Sequence, residues 1–121
     1  MAKGERKVYE AQEIEQKLSD ELPNWQYEDG WIRRKYTTGG WPFTLMVVNA
    51  IGYLAEAAFH HPDLSVSWAE VHVKLNTHSH KGITDNDFEL AALIEQHITW
   101  LPSEQQALDG FEVGFKKKWT R

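Results

Sequence analysis

The sequence predicts an α+β fold, a four-stranded antiparallel sheet with three helices packed on one face. Three observations carry this expectation. Three segments place apolar residues three and four apart, as amphipathic helices do. Four short segments are rich in aromatic and β-branched residues, and turn residues separate them. Their order is helix, hairpin, helix, two strands, helix, without regular strand–helix alternation, which points to an antiparallel sheet covered on one side.

The first helix is expected from about Tyr9 to Leu22, where Ile14, Leu18 and Leu22 form a stripe among Glu, Gln and Lys. Pro23 stops it. Trp25–Glu28, then Asp29-Gly30, then Trp31–Tyr36 reads as a hairpin, because Asp-Gly favours a two-residue turn. Thr37-Thr38-Gly39-Gly40 breaks the pattern. A long helix follows from Trp41 to about Phe59, with Phe43, Val47, Ala50, Leu54 and Ala58 on its apolar stripe. Pro42 suits its first turn, and Pro62 cannot continue it.

Leu64–Trp68 and Val71–Asn76 read as two short strands. In the second, Val71, Val73 and Leu75 share one face, and His72, Lys74 and Asn76 share the other. His78 falls just past its end, and Gly82 sits in a loop. The last helix runs from Thr84 to about Thr99, with Phe88, Ala91, Ala92, Glu95 and Ile98 marking its turns. Thr84 and Asp87 have the spacing of a capping box.

The chain has 121 residues, which suits a single domain, 1–121, with a real though small core. The pattern weakens after about residue 100, so 101–121 reads as an extension of that domain. Net charge is −5 with neutral histidines, which argues against a nucleic-acid binder with a basic face. Lys116-Lys117-Lys118 forms a basic run near the C-terminus and reads as a solvated tail. The absence of cysteine excludes disulfides and thiolate metal sites. The N-terminus lacks the apolar stretch of a signal peptide, and no apolar run is long enough to span a membrane. A cytoplasmic protein without membrane or direct nucleic-acid partners is the expectation.

The informative chemistry lies between Glu56 and Asp87. Glu56 stands four residues before His60, and His60-His61-Pro62 closes the long helix. His78 follows a strand, and Asp87 opens the last helix. Imidazoles with carboxylates nearby exchange protons near neutral pH. The i,i+4 spacing sets Glu56 to orient His60. A blander reading makes Glu56–His60 a surface pair and His61 a cap on helix carbonyls. Asp87 has a similar alternative as a mere part of the Thr84 cap. His78-Ser79-His80 with His60-His61 could also suggest zinc, but His80 is expected in a loop. His72 and His97 read as surface or partly packed residues. Trp25, Trp31, Trp41, Trp100 and Trp119 read first as core or interface residues.

Taken together, Glu56, His60, His61, Pro62, Trp68, His78 and Asp87 resemble the pattern of the pterin-4a-carbinolamine dehydratase family, also known as the dimerization cofactor of hepatocyte nuclear factor. Val71–Leu75 leading into Thr77-His78, and Gly82–Asp87 opening a helix, agree with it, and the weaker match runs from about Gln12 to Gln96. Two positions depart. Phe59 stands where the family has Asn or Asp, and Leu64 stands near a position that is often aromatic.

The resemblance implies loss of water from a 4a-hydroxytetrahydropterin, giving quinonoid dihydropterin in tetrahydropterin recycling. It implies that His60, His61 and His78 are catalytic and that Glu56 and Asp87 orient or support them. Pro62, Trp68, Asn76, Thr77 and Ser79 would contact the pterin, with Trp68 equally suited to core packing. No metal or other cofactor is implied. A homodimer or homotetramer is. The alternative on the same fold is a binding role, as a transcription-factor dimerisation cofactor or a carboxylase assembly factor.

Overall fold

The computed structural model describes residues 5–110. Its helices are α1 (Ala11–Glu21), α2 (Trp41–Ala58) and α3 (Asp85–Ile98), and its strands are β1 (Gln26–Glu28), β2 (Trp31–Thr37), β3 (Asp63–Ser67) and β4 (Glu70–Leu75). The strands form one antiparallel sheet in the order β1-β2-β4-β3. This is the expected α+β fold. Residues 101–110 contain turns but no helix or strand. Lys116–Lys118 and Trp119 lie outside the described residues.

Local chemistry sets each boundary. Asp29 and Gly30 both have positive φ, the conformation of a two-residue hairpin turn, so Glu28 pairs with Trp31. Glu13 accepts from the Glu10 backbone N–H and so caps the start of α1. Thr84 caps α3, with Asp87 accepting the Thr84 N–H at 2.9 Å. Gly82 bridges back to Thr77 in a tight loop. A Cβ there would meet Val8 Cγ1 at 2.7 Å, because the N-terminal segment lies against the loop and Tyr9 N–H bonds the Ile83 carbonyl.

The alternation of burial in β2 and β4 shows which face the helices cover. Ile32, Arg34, Tyr36, Val71, Val73 and Leu75 are buried; Lys35, Thr37 and His72 are exposed on the other face. The core joins these residues to Ile14 and Leu18 of α1, Val47, Ile51 and Leu54 of α2, and Phe88, Ala91 and Ile94 of α3.

Two expected stripes shift. The buried face of α2 is Thr44, Val47, Ile51, Leu54 and Ala55, while Phe43 and Ala50 are half-buried and Ala58 is exposed. A helix this apolar offers several stripes of equal spacing. Thr44 belongs inside because its hydroxyl meets the Gly40 and Trp68 carbonyls at 2.9 Å each. In α3, Ala92 is exposed and Leu90 is buried instead. Among the five tryptophans in the described residues only Trp25 is in the core; Trp41, Trp68 and Trp100 are exposed and Trp31 is half-buried.

Arg34 points into the helix-covered face, which needs a partner. Glu95 of α3 supplies it, with Oε1 at 2.8 Å from Nε and Oε2 at 3.0 Å from Nη2. Glu95 Oε1 also accepts from Tyr36 Oη at 2.7 Å and Trp25 Nε1 at 3.0 Å. Burial opposes both charges, but the pairing more than offsets it: the Arg34 pKa lies above its ordinary value and that of Glu95 below. Burial and the Glu95 charge push the Tyr36 hydroxyl up. The network ties α3 to β2 and to Trp25 just before β1, and so sets the frame that carries Asp87.

α2 ends on Phe59, whose φ of 52° and ψ of 46° are left-handed. This position suits Gly or Asn and costs a Cβ-bearing residue roughly 1–2 kcal/mol. The Phe59 ring is 81% exposed, so little burial offsets that cost. Phe59→Gly should therefore raise stability by about 0.5–1 kcal/mol, after allowing for the added chain entropy of Gly. A urea midpoint that fell instead would show that the ring stabilises the fold.

Candidate active site

Three segments meet near the C-terminal end of β4. The end of α2 delivers His60 and His61, the end of β4 delivers Asn76, Thr77 and His78, and the start of α3 delivers Asp87. The pairing of Asp63 with Lys74 places the start of β3 beside the end of β4, which brings these segments together.

Asp87 is the centre. It is fully buried. Its Oδ1 lies 2.7 Å from His60 Nε2. Its Oδ2 accepts from Thr77 Oγ1 at 2.7 Å and from the Thr84 N–H at 2.9 Å. Thr77 Oγ1 is also 2.8 Å from Thr84 Oγ1. Since Thr77 gives its proton to Asp87, Thr84 donates to Thr77. A carboxylate accepts, so His60 carries its proton on Nε2 and leaves Nδ1 available for exchange. The His60 side chain keeps 14% exposure, enough for one ring edge to reach a ligand.

The expected Glu56–His60 pair is corrected by this geometry. Glu56 Oε1 lies 2.8 Å from His61 Nε2, and Asp87 holds His60. The i,i+4 rule needs both residues on the helix. The helix ends at Ala58, and the left-handed Phe59 turns His60 inward. Glu56 and His61 are exposed, at 75% and 53% of their side chains. The Phe59 ring stands edge-on to His61 with centroids 5.5 Å apart.

His78 is exposed and opens a short 3-10 turn, His78–His80. Thr77 links it to the buried cluster, as the Thr77 N–H bonds the Gly82 carbonyl at 2.8 Å and closes the loop. Ser79 Oγ sits 2.9 Å from His80 Nδ1, which keeps His80 local to the turn. Asn76 Oδ1 is closed off from solvent and has no hydrogen-bond partner among the described residues. Pro62 is half-buried beside His61.

Trp68 does not join this group within the chain. It sits in the β3–β4 turn at the far end of β3, some 15 Å along the strand from Asp63 at about 3.3 Å per residue. Its backbone carbonyl accepts from Thr44 and its indole is 66% exposed, so neither pterin stacking beside His78 nor core packing describes it.

Sequence reasoning missed two contacts. One is the Arg34–Glu95 network; its signal was a carboxylate on the apolar stripe of α3 and an arginine on the buried phase of β2. The other is Trp31, whose ring lies 5.7 Å from that of His78. His72 is exposed near Glu70, and His97 bonds its own helix carbonyl at Leu93. No three His, Asp or Glu side chains converge as a metal site among the described residues. A groove of about 980 Å³ covers the open sheet face among Arg33, Lys35, Asp63, His72 and Lys74, and none of His60, His61 or His78 lines it. No helix among the described residues is long and apolar enough to cross a membrane.

Known proteins share this arrangement of elements. Residues 7–97 match the family described as pterin 4 alpha carbinolamine dehydratase. Two relatives named "Putative pterin-4-alpha-carbinolamine dehydratase" come from Aquifex aeolicus and Roseiflexus castenholzii. The first is 44% identical, covering 77% of this chain and 92% of the relative. The second is 40% identical, covering 71% and 91%. A solved structure described as a transcriptional coactivator/pterin dehydratase from Brucella melitensis superposes with a TM-score of 0.69 at 26% identity, over 76% of this chain and 98% of that one. With three quarters of its length matched and relatives at 40% identity or more, the chain belongs to the pterin 4 alpha carbinolamine dehydratase family.

Proposed function

We propose that this chain dehydrates 4a-hydroxytetrahydropterin to quinonoid dihydropterin, in tetrahydropterin recycling. The carrying observation is the His60–Asp87 pair, a buried carboxylate 2.7 Å from a histidine that still reaches solvent. The reaction breaks the C4a–O bond and the N5–H bond. One group protonates the departing hydroxyl and another takes the N5 proton, so water leaves; proton exchange through solvent then returns both groups to their starting states. Imidazoles suit both steps, since their ordinary pKa lies near the operating pH.

His60 and His78 are the proton-transfer groups in this reading, and His61 binds or orients the pterin. Asp87 fixes the tautomer of His60, and Glu56 orients His61. Pro62, Asn76, Thr77 and Ser79 form the substrate edge. The reading needs no cofactor.

The two carboxylates separate a catalytic from a surface role. Asp87→Asn puts an amide N–H against either His60 Nε2 or the Thr77 and Thr84 donors, so one side clashes. We expect kcat/KM to fall by about a hundredfold, roughly 2.7 kcal/mol, through loss of the His60 tautomer. Glu56→Gln should leave kcat/KM within about fivefold, since an exposed pair contributes only about 0–1 kcal/mol. Turnover of 4a-hydroxytetrahydropterin generated in situ, with circular dichroism to confirm folding, is the measurement. An active Asp87→Asn enzyme would remove the His60–Asp87 pair from the mechanism.

α2 favours a protein partner as well. Trp41, Leu45, Met46 and Tyr53 are 45%, 40%, 51% and 74% exposed on one helix, and β3 leaves an open sheet edge. We assign this surface to further copies of the chain, giving a homodimer or homotetramer. Light scattering at micromolar concentration should show it; a monomer would contradict the assignment and leave the face to another protein.

A further inference from the structure

His60 has Asp87 against Nε2 and His61 has Glu56. His78 has no carboxylate, and neither of its ring nitrogens has a hydrogen-bond partner among the described residues. An exposed imidazole on a 3-10 turn would then exchange among staggered side-chain positions. A group that must deliver a proton to one atom of a ligand needs a narrower distribution. Something other than a hydrogen bond has to restrict it.

The contact that His78 does make is with Trp31. Their ring centroids are 5.7 Å apart and their planes meet at 81°, an edge-to-face arrangement. Trp31 is the first residue of β2, directly after the Asp29-Gly30 turn, so its backbone is fixed by the hairpin register. It shares the open sheet face with Arg33, Lys35 and Thr37, an otherwise polar surface where an indole has no core to enter. Lys74 Nζ sits 4.4 Å from the Trp31 ring centroid and holds the indole from the neighbouring strand. The indole is thus braced by a turn and by a cation, and presents a rigid surface to His78.

We propose that Trp31 is the positioning residue of His78: packing against a braced indole replaces the carboxylate that the other two histidines have. The inference rests on the dehydratase reading for its effect on rate, and stands on the geometry alone for its effect on the imidazole. Lys74 acts at one remove, through Trp31.

The test combines NMR of the histidine rings with kinetics. In the unsubstituted protein, cross-relaxation should connect indole protons of Trp31 with ring protons of His78. Trp31→Leu should move the His78 ring-proton shifts toward solvent-exposed values as the indole ring current is lost, and leave those of His60 in place. It should lower kcat by about tenfold with KM changed less than twofold, while Trp31→Phe, which keeps an aromatic surface, should recover most of the rate. No cross-relaxation in the unsubstituted protein overturns the proposal even if Trp31→Leu fails to fold. Unchanged His78 shifts, or an unchanged kcat in an active enzyme, overturns it too. If the unsubstituted protein shows no dehydration at all, the dehydratase reading fails, and the NMR result still decides whether Trp31 holds His78.

Discussion

Replacing both His60 and His78 by alanine should remove nearly all dehydration, with kcat/KM falling by about 10²–10⁴, the range that positioned acid–base groups supply. Each single substitution should cost about tenfold or more, roughly 1.4 kcal/mol. The two histidines come from different elements, the end of α2 and the turn after β4, and do not share one carboxylate. The double variant should lose more than either single one, since one imidazole alone cannot serve both proton transfers efficiently. His78 is exposed and packs on Trp31, so His78→Ala should lower stability by no more than about 1 kcal/mol. His60→Ala strips the partner from buried Asp87 Oδ1 and should lower stability by about 1–3 kcal/mol. Full activity in both single variants would remove these residues from the chemistry.

Arg34→Met should be strongly destabilising although it lies away from the site. It keeps the length of the side chain but leaves Glu95 facing the core without its cation. Breaking a buried pair from one side costs about 3–5 kcal/mol. Glu95 keeps 20% of its side chain in solvent, so about 3 kcal/mol is expected, a fall in Tm of more than about 10 °C. Adding Glu95→Leu should restore part of the loss, and only part, because Tyr36 and Trp25 then lack their acceptor.

The pH dependence has a defined sign. The Glu95 carboxyl is held below its ordinary 4.5, so its contribution is fully present at neutral pH. It starts to fall below about that value and is lost as the pH drops through the folded-state pKa. Arg34→Met should flatten the acid limb of the stability curve. An unchanged acid limb together with an unchanged Tm would show that the pair does not hold α3 to the sheet.

Much of the frame was legible because single residues punctuate it. Asp29-Gly30 announces its turn, Pro62 marks the neighbourhood in which α2 stops, and Thr84 with Asp87 announces the start of α3. The meeting of His60 and Thr77 at Asp87 was not legible from spacing, since three separate segments must converge to make it. What sequence spacing could not supply is direction. Glu56 and His60 are four apart, yet the left-handed Phe59 removes His60 from the helix face and gives it to Asp87 instead. Val71, Val73 and Leu75 alternate cleanly because β4 is central in the sheet, whereas α2, apolar almost all round, offered no single stripe to choose. The family resemblance set Trp68 against the pterin, with core packing equally open; β3 carries it to the far end of the hairpin, where its indole is exposed. The contact between Trp31 and His78 depends on the β2–β4 register, which local pattern does not reveal.

The dehydration step itself is the most direct test. A 4a-hydroxytetrahydropterin generated in situ can be followed spectroscopically as it converts to the quinonoid dihydropterin, with EDTA present throughout. The expected result is a rate that rises in proportion to added protein, is indifferent to the chelator, and falls to the uncatalysed background when His60 and His78 are both alanine. A rate that does not exceed background with the folded, unsubstituted protein would contradict the assignment and turn attention to the exposed face of α2 as the working surface.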